Sequence, residues 1–446
     1  MTHFPEVPDE LLARLDVPGP RYTSYPTAPV WSPAGATDHA RALERAAVTP
    51  ERPLSLYLHI PFCRQMCSYC GCNVVVSRDP ERVENYLAAL IGEVHLAADR
   101  LGARRRLSRL HLGGGTPTFL TERQLATLWR AITDRFALLP GAEVAVEIDP
   151  ASTRPEKIAL LAMFGFNRLS MGVQDLDPTV QATVERIQSV EETRAATEEA
   201  RALGFRSVNF DLIYGLPRQT PERWRRTMEQ VVALSPDRVA AFSFAFLPDA
   251  LPNQRRLPAA EVPRGAAKLA LLAVAHDALV DAGYRAIGMD HFARPGDELA
   301  LAQERRELWR DFQGYTTERA PDTIALGASA ISDVGGAYLQ NARALGDYRA
   351  AVIAGRLPTA RGHALSEEDR RRRGVIMDLM CNFTADASAF PDERARLGPL
   401  VRDGLLSLDG TRLLLTPLGR VFVRNVAMVF DAYLSRPSAR AFSQTV

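Results

Sequence analysis

Four of the chain's five cysteines fall in one short stretch, as Cys63, Cys67, Cys70 and Cys72. The spacing is C-x3-C-x2-C, then one residue and a further cysteine. Thiolates packed this closely bind metal or do redox chemistry. Structural zinc usually draws paired Cys or Cys/His units from two separated segments. Here the thiols lie on one loop that follows a strand, and a tight loop of thiolates can wrap an iron–sulfur cubane. If three thiolates serve, one iron stays open, as a chelating substrate requires. The spacing does not say which of the four stands aside.

Two carboxylates and a glycine run share the same register. Asp211 sits in the otherwise apolar Val208-Asn209-Phe210-Asp211-Leu212-Ile213. A carboxylate in such a run is paired or functional, because burying it alone is costly. Glu147 lies in a half-buried strand and reads either as a surface carboxylate or as a group facing a site. Gly113-Gly114-Gly115 closes a strand, where glycine lets a ligand approach the backbone. In parallel α/β folds, ligands bind at the carboxyl ends of strands, and these features all lie there.

The elements that must position them follow from periodicity. Leu54 to Ile60 alternates with period two and stops at Pro61. Helical spacing over 80–101 follows, then a strand over Leu107–Leu112. Thr121-Glu122-Arg123-Gln124 is a capping box that opens the next helix. Strands over Glu143–Ile148, Phe166–Met171, Arg206–Ile213 and Arg238–Phe244 continue the alternation. The expectation is an α/β fold: a partial (β/α)6, TIM-like barrel, with too few strands to close unless residues 250–350 add more. Residues 1–50 read as an N-terminal arm, either a linker or a strap bearing Arg21, Tyr22 and Tyr25. Residues 51–360 form the barrel domain. Residues 361–446 form a small, helical, winged-helix-like domain with an Asp409-Gly410 hairpin and a helix from Pro417 to about Tyr433. The run Arg370–Arg373 reads as a solvated helix face.

Composition excludes several classes. Net charge is +1, so no global basic field favours nucleic acid. The alternative of a DNA-binding regulator would need a basic recognition helix, which Arg420 and Arg424 alone do not make. No apolar stretch reaches the roughly 18 residues of a membrane span. No secretory leader is read at the start, so a cytoplasmic setting is expected, where a cysteine cluster means metal or redox chemistry.

Many stretches resemble the oxygen-independent coproporphyrinogen III oxidases of the radical S-adenosylmethionine superfamily. They include Arg21 to Thr27, the cysteine loop with Gly71-Cys72-Asn73, Gly113 to Thr118, Phe166 to Gln174, Asp211 to Pro217, Gly288 to Ala293, Phe312 to Thr317, Cys381-Asn382-Phe383 and Phe442-Ser443. The resemblance implies a 4Fe-4S cluster on Cys63, Cys67 and Cys70, with Cys72 facing the pocket instead. It implies S-adenosylmethionine, with room for two per chain. Tyr57, Gly114 and Glu147 would line the first site. Tyr69, Cys72, Gly115, Thr116, Gln174, Arg186, Asp211, Ala245 and Ile331 would line the combined pocket. Tyr57, Glu147 and Asp211 are the catalytic candidates; Arg21 and Tyr22 are the candidates for binding substrate.

The implied reaction turns two propionates of coproporphyrinogen III into vinyl groups, giving protoporphyrinogen IX. A 5′-deoxyadenosyl radical takes a β-hydrogen, and carbon dioxide and one electron then leave. The implied partners are coproporphyrinogen III, an electron donor and a terminal electron acceptor, with no nucleic acid or membrane and a monomeric chain. The alternative reading is a haem-trafficking or haem-modifying relative, of which the trafficking kind is expected to lack the Arg21–Thr27 arm and the fourth cysteine.

Overall fold

The computed structural model describes residues 3–317, 319, 322–434 and 442–445. Six parallel strands stand side by side in chain order: Leu54–Ile60, Arg106–Gly114, Ala137–Ile148, Arg168–Gln174, Ser207–Tyr214 and Arg238–Ser243. Each keeps the period-two pattern. Leu54, Leu56, Leu58 and Ile60 are buried in the main core. Tyr57 and His59, between them, point the other way and line a cavity. On the fifth strand Val208, Phe210 and Leu212 pack in the core while Asn209 and Asp211 face the same cavity. The barrel therefore has an apolar outer face under its helices and a polar inner face.

The region 250–350 does add strands. Thr323–Leu326 lies parallel beside the first strand, so seven parallel strands form the barrel wall. Ile331–Val334, Ala337–Asn341 and Thr359–Ala364 continue it antiparallel. On the far side His291–Ala293 and Arg285–Ala286 extend it. The thirteen-stranded sheet stays open, ending at Ser32–Pro33 and Arg285–Ala286.

The arm is no linker. It carries helices Asp9–Leu15 and Ala36–Ala47, and Ser32–Pro33 pairs with the strand Thr359–Ala364. Tyr22 donates from its hydroxyl to Asp431 at 3.0 Å, and the Ala432 amide donates to the Tyr25 hydroxyl at 3.1 Å. Both rings are buried against the C-terminal region.

That region holds the capped helix Glu367–Asn382 and the hairpin Leu406–Asp409/Arg412–Leu415, joined by a third strand, Thr384–Asp386. The helix expected over 417–433 is two short ones, Pro417–Val421 and Val423–Met428, interrupted at the fully buried Phe422. The expectation of a solvated arginine face fails for two of its four members. Arg373 is buried and ion-paired with Asp333, and Arg372 bridges Glu368 and Glu393. Packing this helix against Trp309–Asp311 and Val423–Met428 took that face out of water.

Arg424, once a candidate for a basic surface, is buried. Its guanidinium donates to the carbonyls of Pro20 (3.0 Å), Gln444 (2.7 Å) and Ser443 (3.2 Å), and to that of Gly19. It ties the arm to the C-terminal end of the chain. Replacing Arg424 by Met leaves those carbonyls without their donor, so Arg424→Met should destabilise the fold by about 3 kcal/mol in urea unfolding. A change under about 0.5 kcal/mol, the range of ordinary surface substitutions, would contradict this clasp.

Candidate active site

The cysteine loop leaves the first barrel strand at Pro61. Phe62–Cys63 pairs with Val75–Val76, and the Val75 amide donates to the Pro61 carbonyl at 2.7 Å, so the loop closes on itself. Other segments hold its backbone. The Asn253 amide group donates to the carbonyls of Cys67 (3.2 Å), Ser68 (3.2 Å) and Cys70 (2.9 Å). Gln254 donates to the Tyr69 carbonyl at 3.1 Å and the Ala245 carbonyl at 3.1 Å. The Ser68 amide donates to the Val184 carbonyl at 3.1 Å.

The glycine run lets this loop approach the second strand. A side-chain carbon at Gly115 would lie 2.8 Å from the Pro61 carbonyl, and one at Gly114 would lie 2.7 Å from His59 Nδ1. Gly114 also has φ of +121°. The close approach expected of a ligand is thus made first by the protein's own chain.

A cavity of about 700 Å³ lies over the strand ends. All four clustered cysteines line it, with Tyr69, Gly114, Gly115, Thr116, Glu147, Gln174, Arg186, Asp211 and Ala245. A second cavity of about 470 Å³ runs down the inner face of the strands, lined by Tyr57, His59, His111, His291 and Ile331 among others. Cys72, Glu147, Asp211 and Phe242 line both, so the two chambers meet at these residues. Arg21 and Tyr22 line neither. The Arg21 guanidinium pairs with Asp290, and Tyr22 is taken by Asp431. The arm's packing on the C-terminal region turns Tyr22 away from the chambers.

Electrostatics separates the two carboxylates. Burial works against ionised Glu147, but a hydrogen bond and charge from His111 (Nε2 at 3.0 Å) and the Gly114 amide (3.0 Å) hold its carboxyl below the ordinary range. Burial, and then the charge of Glu147, push Asp211 up to about 7, against hydrogen bonds from Ser170 (2.9 Å) and Asn209 (2.8 Å). Burial and Glu147 likewise raise the Tyr57 phenol well above its ordinary value. Tyr57 bonds His59 Nδ1 at 3.1 Å, while His59 Nε2 bonds the Asn73 carbonyl at 3.0 Å. A carbonyl only accepts, so Nε2 carries the proton and the Tyr57 hydroxyl donates to Nδ1.

Burial raises the Cys63 thiol to about 11 and raises Cys67, while a hydrogen bond from Cys72 lowers Cys70 to about 7. The Arg186 charge favours the thiolate at all three. Arg186 is fixed by Asp149 at 2.8 Å and by the Gly172 carbonyl at 2.9 Å. Among the described residues, no three His, Cys, Asp or Glu side chains close on one point as ligands of a single ion would. Three separate thiols on one wall, beside a guanidinium, fit a cluster whose irons each take one thiolate. Cys72 lies deep in the protein yet is open to the cavity, on the side of Glu147.

Several of these residues had no place in the sequence reading. His59 could have been found by extending the period-two pattern from Tyr57, and His111 by the same alternation along the second strand, whereas His291 lies on the short strand His291–Ala293, which gave no such pattern. Asn253 and Gln254 lie in the short turn of helix Pro252–Arg256, within an aperiodic connection that gave no signal.

The site is thus a polar-lined partial barrel with a cysteine loop at its strand ends. The Radical SAM superfamily profile matches residues 57–231, and the HemN C-terminal domain profile matches residues 365–422. The chain is 43% identical to the oxygen-independent coproporphyrinogen III oxidase of Pseudomonas aeruginosa over 98% of both chains. It is also 43% identical to that of Escherichia coli over 96% of both. The solved structure of coproporphyrinogen III oxidase (HemN) from Escherichia coli superposes with a TM-score of 0.89 at 42% identity, covering 93% of this chain and 98% of that one. The chain belongs to the oxygen-independent coproporphyrinogen III oxidase family, oxidoreductases of the radical SAM superfamily. Membership brings a 4Fe-4S cluster and S-adenosylmethionine as cofactors.

The loop's anchoring by Asn253 can be tested. Partners that orient ligands from outside typically carry about 10–100-fold in metal affinity. Asn253→Ala should therefore lose cluster absorbance to a chelator about tenfold faster than wild type. An unchanged rate would show that the loop holds its shape without Asn253.

Proposed function

We infer that this chain carries out the oxygen-independent oxidative decarboxylation of coproporphyrinogen III, turning two propionates into vinyl groups. One observation carries the reading in this fold: the cysteine-lined chamber and the barrel lumen meet at Cys72, Glu147, Asp211 and Phe242. A cofactor held against the cysteine loop thus borders directly on the space available to a substrate.

The cysteine roles rest on the family resemblance, and the remaining roles follow from the chemistry of the site. Cys63, Cys67 and Cys70 hold the cluster, and Cys72 faces the pocket without ligating. When bound, the cluster and S-adenosylmethionine supply a 5′-deoxyadenosyl radical. Glu147, kept ionised by His111 and the Gly114 amide, is placed to accept the cofactor's ammonium group. Arg186, rigid between Asp149 and Gly172, suits its carboxylate. Tyr69, Thr116, Gln174 and Ala245 shape the rest of the upper chamber, which extends past one cofactor, and Ile331 borders the lumen side. Asp211, pushed up to about 7, can hold or release a proton beside the ionised Glu147 near neutral pH. Tyr57 and the strand walls exclude water around the reacting carbon.

Each round removes one hydrogen atom, one carbon dioxide and one electron. The chain must therefore meet an electron donor for the cluster and an acceptor for the substrate's electron. We place it in the cytosol as a monomer. Among the described residues, no helix is long and apolar enough to cross a membrane.

The decisive assay is anaerobic. Cluster-loaded protein with reductant, S-adenosylmethionine and coproporphyrinogen III should yield a tetrapyrrole lighter by two decarboxylations. Formation of 5′-deoxyadenosine with no decarboxylated tetrapyrrole would refute this substrate and favour the haem-modifying alternative.

A further inference from the structure

Gly288 to Ala293 and Phe312 to Thr317 have had no part in the chemistry so far. In the first, Asp290 is 3% exposed and both its oxygens are engaged. One takes the guanidinium of Arg21, reaching in from the arm. The other takes Nδ1 of His291 at 2.6 Å. The strand His291–Ala293 runs antiparallel to the sixth barrel strand, with His291 opposite Ala240, which fixes the height of the ring in the lumen. The ring lines the lumen chamber and meets Phe242 edge-on at 5.5 Å and Tyr315 at 4.9 Å. Among the described residues, its Nε2 has no hydrogen-bond partner.

The charges around the ring decide what Nε2 can do. Arg21 already balances Asp290, so the carboxylate's pull on a proton at His291 is largely spent. Arg310, stacked on Tyr315 at 4.6 Å, adds a second positive charge nearby. Burial lowers His291 further, against the opposing effect of Asp290. The imidazole is therefore neutral. Nδ1–H donates to Asp290, and Nε2 offers a lone pair.

A neutral acceptor is of no use to a carboxylate, but it suits an N–H group. On the reading that the substrate is coproporphyrinogen III, each molecule brings four pyrrole N–H donors and four propionates. We propose that His291 Nε2 accepts a hydrogen bond from a pyrrole N–H of the tetrapyrrole in the lumen, and that Asp290 and Arg21 are positioning residues that fix its tautomer and orientation. The bond seats the macrocycle beside the sixth strand, in the chamber that Glu147 and Asp211 also line. Arg21 thus serves the substrate through Asp290 and His291, not by gripping a propionate.

Two amide substitutions separate the ring's nitrogens. His291→Asn keeps a donor where Nδ1 stands and removes the acceptor. His291→Gln places an amide oxygen near the position of Nε2 and gives up the bond to Asp290. Cluster-loaded protein is titrated anaerobically with coproporphyrinogen III by calorimetry, and KM and kcat are measured alongside. Cluster content and S-adenosylmethionine affinity serve as the check on folding. His291→Asn should weaken tetrapyrrole binding about tenfold, a change of about 1.4 kcal/mol, with KM rising in step. His291→Gln should stay closer to wild type. His291→Asn binding as tightly as His291→Gln, or more tightly, overturns the proposal, since a ring that merely props Asp290 is replaced best by Asn. Wild-type protein that binds no coproporphyrinogen III overturns the substrate reading itself, and the proposal with it.

Discussion

A single carboxylate couples the parts of this site. Glu147, near the end of the third strand, accepts from the backbone amide of Gly114 on the second strand and from His111 below it. These two bonds let a buried carboxyl stay ionised where burial alone would neutralise it. Its charge then acts on its surroundings: it raises Asp211, Tyr57 and Cys72, and favours a proton on His59. Glu147 also stands where the two chambers meet. The same negative charge that suits a cofactor's ammonium group thus adds to burial in shifting the protonation of Asp211 and Tyr57, which face the substrate space.

This arrangement depends on close packing that only small residues permit. The cysteine loop leaves the first strand and turns across the glycines of the second, with no room for a side chain at Gly115. Its outer side is held by Asn253 and Gln254, which bond to its carbonyls, not to its sulfurs. The loop is shaped from its backbone, and its thiols are left to the chamber. The lumen is built on the same principle. Each strand gives its apolar face to the core and its polar face to the cavity, so a barrel short of full closure still has a continuous lining.

Much of this was legible in the sequence, for definite reasons. The cysteine spacing and the alternation of Leu54–Ile60 are local signals, and local signals survive folding. The six central strands follow from them. Asp211 stood out as the polar member of an apolar run, and it does face the site. What escaped was long-range. Thr323–Leu326 pairs with a strand more than 250 residues earlier and follows the short hairpin Trp309–Asp311/Gly314–Thr316, not a helix that would announce a crossover. Arg373 and Arg424 read as surface charges, because nothing nearby in the sequence discloses Asp333 or the four carbonyls that bury them. Tyr22 shared a motif with Arg21, yet the backbone sends one to Asp431 and the other to Asp290. The division of four cysteines into three ligands and one bystander came from family resemblance alone.

That division is the centre of the account, and Mössbauer spectroscopy on isotopically enriched cluster tests it directly. With Cys63, Cys67 and Cys70 as the only thiolate ligands, one iron should differ from its fellows, and its signal should shift when S-adenosylmethionine is added. The pattern should be unaltered in Cys72→Ser. Four equivalent irons, indifferent to S-adenosylmethionine in the wild type and disturbed by Cys72→Ser, would make Cys72 a ligand and contradict the account.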